Sequence, residues 1–145
     1  MERDNLIESV RRDRKIYFLS RRGSDLIGAE KQRLKQSQID HAIMRNELRS
    51  KLNYPKDWRN EVPIKINGEV FVVADAVYSE GGRIYFVEID NKMSMQSNNH
   101  KIKRYAEIIR GLNRPATLGW YTLVESRREK LRKNCEKAGI DCRIF

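Results

Sequence analysis

Glu69-Val70-Phe71-Val72-Val73-Ala74-Asp75-Ala76-Val77-Tyr78, then Ser79-Glu80-Gly81-Gly82, then Arg83-Ile84-Tyr85-Phe86-Val87-Glu88-Ile89-Asp90 is the stretch whose reading decides the fold. Both arms are dense in β-branched and aromatic residues and the link between them is short and glycine-rich, so the stretch predicts two adjacent antiparallel strands. Three carboxylates interrupt the arms. Asp75 lies inside an apolar run, and Glu88 and Asp90 share one face of the second strand because side chains alternate with period two. Burying an acid without a partner is costly, and for three acids at the ends of central strands the simplest partner is a divalent cation.

Outward from this hairpin, Val62-Pro63-Ile64-Lys65-Ile66 reads as a strand and Asn67-Gly68 as a two-residue turn, which makes a three-stranded meander. Before it, residues 30–52 have helical spacing, with Leu34, His41, Met44, Leu48 and Leu52 on or near one stripe. Glu47 stands at the edge of that buried face, close enough to point inward, and His41 reads as a satisfied core histidine. Pro55 ends the helix. After Asp90, the polar run from Asn91 to His100 predicts a loop, the place where substrate contacts would sit. Lys101 to Leu112 predicts a helix that buries Ile102, Tyr105, Ala106 and Ile109. Lys101 neighbours that stripe with Tyr105 one turn on, so both would reach toward the carboxylates if the helix N-terminus faces them, and Arg104 reads as part of a solvated basic face. Residues 116–124 form a further strand, 125–138 a charged helix stopped by Gly139, and 141–145 a last strand.

The chain has 145 residues, with 30 Lys and Arg against 20 Asp and Glu and a net charge of +10. That balance favours a polyanionic partner such as nucleic acid. No stretch approaches the roughly 18 apolar residues of a membrane span, and the charged N-terminus carries no signal-peptide core. The expectation is a cytoplasmic protein without a membrane partner. Cys135 and Cys142 have no neighbouring histidine pattern and read as reduced thiols. At the N-terminus, residues 3–12 predict a short basic helix, 15–19 a strand, and Ser24 a helix start. Residues 1–33 therefore read as an arm similar to the last part of a winged-helix module without its preceding helices. The arm packs on the main domain or joins a second copy in a homodimer. Residues 34–145 read as one domain.

The order helix, meander, helix, strand, with acids on the second and third strands, resembles the PD-(D/E)XK nuclease superfamily over about residues 34–145. Glu47 matches the acid of its first helix, Asp75 the aspartate of its second strand, and Glu88-Ile89-Asp90 its (D/E)-x-K element. Ala74 stands where the superfamily has proline, and Asp90 where it has lysine. A narrower resemblance is to the replication-relaxation family of plasmids and other mobile elements. It is carried by Tyr17-Phe18-Leu19-Ser20-Arg21-Arg22-Gly23, the helix beginning His41-Ala42-Ile43-Met44, Trp58 to Glu61, Ala74-Asp75-Ala76, Phe86 to Asp90, and Lys101-Ile102-Lys103-Arg104-Tyr105.

These resemblances imply an α+β (α/β) fold with a restriction-endonuclease-like core, a mixed central sheet flanked by helices. They imply a DNA-associated role in replication or relaxation. Asp75, Glu88 and Asp90 would then bind Mg²⁺ or Mn²⁺, with the Ile89 carbonyl as a further donor. Glu47 would be an auxiliary acid. Either the Lys101 ammonium replaces the missing lysine, or Asp90 holds a second cation. DNA phosphates would meet Arg21, Arg22, Lys92, Lys101 and Lys103. Three functions remain open at this stage: a metal-dependent endonuclease or nickase, a non-catalytic DNA-binding replication or transcription factor on an inactive nuclease fold, and a structural partner that docks on a replication protein.

Overall fold

Two tight turns with left-handed backbone set the sheet in the computed structural model. Asn67 and Gly68 have φ of 52° and 83°, and Gly81 and Gly82 have φ of 56° and 77°. Positive φ at both central residues matches the right-handed twist of paired strands. The first turn joins β3 (Arg59–Ile66) to β4 (Glu69–Glu80), and the second joins β4 to β5 (Arg83–Ile89). The structure describes residues 6–11, 15–29, 35–91 and 93–145. It comprises two units, Met1–Lys35 and Gln36–Phe145.

In the first unit, β1 (Ile7–Arg11) pairs antiparallel with β2 (Lys15–Leu19). The helix predicted over 3–12 is therefore a strand where it is described, its Ile7 and Val10 standing opposite Leu19 and Ile16 in the hairpin. The short α1 (Arg21–Leu26) starts earlier than the expected Ser24, because the Ser20 hydroxyl caps it by accepting from the Gly23 N–H at 3.0 Å.

In the second unit, α2 (Gln36–Lys51) leads into β3, β4 and β5, followed by α3 (Met95–Gly111), β6 (Ala116–Tyr121), α4 (Glu125–Ala138) and β7 (Cys142–Ile144). The strands form one five-stranded sheet in the order β3-β4-β5-β6-β7. The first three are antiparallel, while β5, β6 and β7 run parallel. A parallel step needs a crossover, and α3 and α4 supply the two. The unit is thus a mixed sheet flanked by helices, as expected. On one face, α3 and α4 bury Ile102, Tyr105, Ala106, Ile108, Leu131 and Cys135 against Val72, Val77, Phe86, Leu118 and Trp120. On the other, Met44 and Leu48 of α2 pack with Trp58, Tyr78, Val87, Ile89 and Tyr121.

The predicted loop 91–100 is shorter than its polarity suggests. Helix α3 begins at Met95, capped by the Ser94 hydroxyl, which accepts from the Ser97 N–H at 3.1 Å. Polar composition misled because the inward residue of that first part is Asn98, which is buried by hydrogen bonding. Among the described residues no helix is long and apolar enough to cross a membrane.

The feature that places the site is a break in β4 at Asp75. Val72 and Ala74 pack on the α3 face, yet Ala76 and Tyr78 pack on the α2 face, with Val77 back toward α3. Strict alternation would keep 72, 74, 76 and 78 together, so the phase slips by one residue at Asp75. On the neighbouring β3, Glu61 stands at the same level between the pairs Asn60↔Ala76 and Val62↔Ala74, with φ of 50°. Ladder pairing between β4 and β5 ends at Ala76↔Val87, whereas β5 continues beside β6 to Ile89↔Tyr121. Beyond Ala76, β4 therefore forks away from β5 and stays only with β3.

At Gly119 in β6 the Phe145 ring occupies the space of a side chain: an added Cβ would lie 2.5 Å from Phe145 Cε2. Gly119→Val should cost about 1–3 kcal/mol by overpacking, read by urea denaturation. Adding Phe145→Ala should recover part of it, and equal losses with and without the ring would refute this contact.

Candidate active site

The fork frees backbone groups that a ladder would have paired, and side chains satisfy them. Asp75, one residue past the last β4–β5 pair, accepts from the Ile89 N–H on Oδ2 at 2.7 Å. Its Oδ1 faces His41 Nε2 of α2 at 3.1 Å. Further along β4, Phe71 is skipped at the register shift between Ile64 and Lys65 of β3, and its carbonyl accepts from Arg104 Nη1 at 2.6 Å, with that guanidinium 5.3 Å from the centre of the Phe71 ring. The expected solvated Arg104 is instead a clamp between α3 and β4.

Glu88 is the neighbour of Asp75 across the strands and is completely buried. Helix α3 satisfies it. Tyr105 donates its hydroxyl to Oε1 at 2.6 Å, and Lys101 donates from Nζ to Oε2 at 2.5 Å. Two residues on, Asp90 accepts from Asn98 Nδ2 at 2.9 Å. Asn98, Lys101 and Tyr105 are spaced i, i+3, i+7, one face of a helix. That face lies along the Glu88/Asp90 face of β5 in the opposite direction.

The two acids of the fork differ in charge state. Burial acts to raise Asp75, but the hydrogen bond and charge of His41, the Ile89 N–H and the Lys101 charge outweigh it and hold the carboxyl below its usual range. Burial and then the Asp75 charge push Glu88 up to about 8, against Lys101 and Tyr105. The first negative charge of the pair thus settles on Asp75. Burial works to lower Lys101, yet the Glu88 charge and hydrogen bond and the Asp75 charge raise it, so it keeps its proton. Burial, followed by the Glu88 charge, drives the Tyr105 phenol upward, so it remains a donor.

Asp90 belongs to a different cluster from the one expected. Arg127 of α4 grips it with two bonds, Nε to Oδ2 at 2.5 Å and Nη2 to Oδ1 at 2.7 Å, and also donates to the Met93 carbonyl at 2.5 Å. With Asn98 on the same carboxylate, its oxygens are committed to structure, and the expected set of Asp75, Glu88 and Asp90 does not assemble as three ligands. Among the described residues no group of three or more His, Cys, Asp or Glu is placed to hold a metal. Glu47 lies on the α2 side, where the Tyr121 hydroxyl reaches its Oε2 at 3.5 Å. The α2 residue that meets Asp75 is His41, which sequence reasoning assigned to the core.

Two carboxylates still suit a small hard cation, since Mg²⁺ is commonly held by one or two carboxylates and completed by water and substrate phosphate. The repulsion between Asp75 and Glu88 is what such a charge would relieve. Of the residues expected on a phosphate surface, Arg21, Arg22 and Lys103 are exposed, Lys101 is turned to Glu88, and Lys92 lies outside the described residues.

A family model described as replication-relaxation matches residues 2–122. The chain belongs to the replication-relaxation family. No curated protein and no solved structure matches it. The replication-relaxation match takes in His41, Asp75, Glu88, Lys101 and Tyr105 and stops before Arg127. Sequence reasoning missed Asn98 and Arg127 as well as His41. The 98, 101, 105 spacing would have exposed Asn98 once α3 was started at Met95, whereas Arg127 sits in a helix whose many charges hide which one turns inward.

Burial acts to raise Asp90, but the Arg127 and Asn98 hydrogen bonds and the Arg127 charge win and hold its carboxyl below the usual range. A depressed folded value means stability present above the unfolded value near 3.8 and lost as pH falls through the lower folded one. Asp90→Asn should therefore cost about 2–3 kcal/mol at pH 7, less than for a fully enclosed pair because water reaches Arg127. In urea denaturation the gap between wild type and variant should shrink progressively as the pH is taken below 3.8. A gap unchanged at acid pH would contradict the ion pair.

Proposed function

We propose that the protein is a metal-dependent phosphodiesterase that cuts or nicks DNA during replication or relaxation of a mobile element, on a fold of the PD-(D/E)XK kind. Family membership supports the replication or relaxation role. The observation that carries the chemistry is the Lys101 ammonium, 2.5 Å from Glu88 and within electrostatic reach of Asp75. It supplies from the next helix the cation that Asp90 cannot supply from the strand. Asp75 and Glu88 would hold Mg²⁺ or Mn²⁺, which provides Lewis-acid charge for the scissile phosphate.

The chain's own residues do the rest. Asp75 is anchored by His41 and the Ile89 N–H, so one oxygen donor is fixed before substrate arrives. Tyr105 orients Glu88, and Lys101 presents a preorganised positive charge to oxygen that becomes negative in the transition state. Asp90 and Arg127 hold the start of α3 against the end of β5, which sets the height of Lys101 over Glu88.

One observation favours the second reading, a non-catalytic DNA-binding factor. Glu88 is completely buried and both of its oxygens are already bonded within the protein. Supercoiled plasmid separates the two. With Mg²⁺ or Mn²⁺ the wild type should produce open circles, EDTA should stop it, and Glu88→Ala should abolish it. Lys101→Ala should slow it by about a hundredfold. Because a ligand carboxylate must lose its proton to bind the metal, the Mg²⁺ concentration needed for half-maximal cutting should fall as pH rises toward 8. Plasmid left intact under every metal yet retarded in a gel would leave only the DNA-binding reading.

A further inference from the structure

The fork that creates the site also opens a pocket beside it. Val72 and Val73 of β4 form one wall, and Gln96, Ser97, His100, Lys101 and Arg104 of α3 form the other, around a volume of about 620 Å³. No acid lines the pocket, and Lys101 belongs both to it and to Glu88. Arg104 arrives preset, with Nη1 on the Phe71 carbonyl and its guanidinium over the Phe71 ring.

We propose that this pocket receives one or two unpaired nucleotides of a DNA strand that passes the Asp75–Glu88 pair, so that the substrate is locally single-stranded DNA. The inference rests on DNA as the partner and narrows which form of it is bound. Its volume is that of a pocket for a small organic ligand, and a stacked duplex has no base to place there. An unstacked base offers its face to the fixed guanidinium plane, since bases stack on arginine as well as on aromatic rings, and its edge to the Val72–Val73 stretch of β4. Its phosphate offers the negative charge that Lys101, Arg104 and the Ser97 and Gln96 side chains are suited to meet.

Fluorescence anisotropy in EDTA tests this without requiring any cutting. The probes are a fluorescein-labelled 20-nucleotide thymidine strand and a 20-base-pair blunt duplex. The full chain should bind the strand at least tenfold more tightly than the duplex. Gln96→Glu and Arg104→Ala should each weaken strand binding at least fivefold and change duplex binding less than twofold. Circular dichroism melts confirm that each variant is folded, and Gln96→Glu, at an exposed position, carries the test if Arg104→Ala does not fold. Duplex binding equal to or tighter than strand binding would overturn the pocket assignment while leaving a DNA partner in place. So would folded variants with unchanged strand affinity. Strand preference in a protein that never cuts would keep this inference and remove the phosphodiesterase reading.

Discussion

A carboxylate that is completely buried has to be answered by its surroundings, and Glu88 imposes that demand on the sheet and the helix beside it. A polar group taken out of water costs free energy, charged or not, unless partners restore the hydrogen bonds that water gave. Tyr105 and Lys101 do so from α3, and their spacing fixes both the rotation and the height of that helix over β5. Asn98 and Arg127 do the same for Asp90, so α3 and α4 are each tied to the C-terminal end of β5 by a polar bond as well as by the apolar core. Polar bonds of this kind specify one register where apolar packing tolerates several.

The second constraint is the parting of β4 from β5. If the ladder continued past Ala76↔Val87, Asp75 would be one more residue in a row. Because the strands part there, its side chain takes over the backbone's role toward Ile89, and the wedge leaves room next to the acids. The left-handed Glu61 on β3 shows that the distortion is shared by the partner strand. Site and cleft are two results of the same departure from regular pairing.

Much of this was legible in the chain. The two glycine-bearing turns, the alternation in β5 and the Gly139 stop gave the meander, the shared face of Glu88 and Asp90, and the end of α4, because each is a local rule with a short range. Lys101 and Tyr105 were legible as neighbours of the acids because a helix after a central strand must pack back across it. What escaped depends on contacts between distant segments. Polarity hid the first turns of α3, since nothing local says that Asn98 is buried against Asp90. His41 looks the same in sequence whether it faces a leucine or Asp75. Asp90 read as a ligand because its partner Arg127 lies 37 residues away.

The bond from Ile89 to Asp75 has one more consequence. In a ladder, an amide reports on the cooperative opening of the whole sheet. The Ile89 amide is held by a carboxylate, so its proton answers to the charge and occupancy of that single side chain. Its nitrogen-15 resonance and its solvent-exchange rate form an intrinsic gauge of the site. They would shift when the charge or the contacts of Asp75 change, while the neighbouring amides of β5 and β6 stay unchanged.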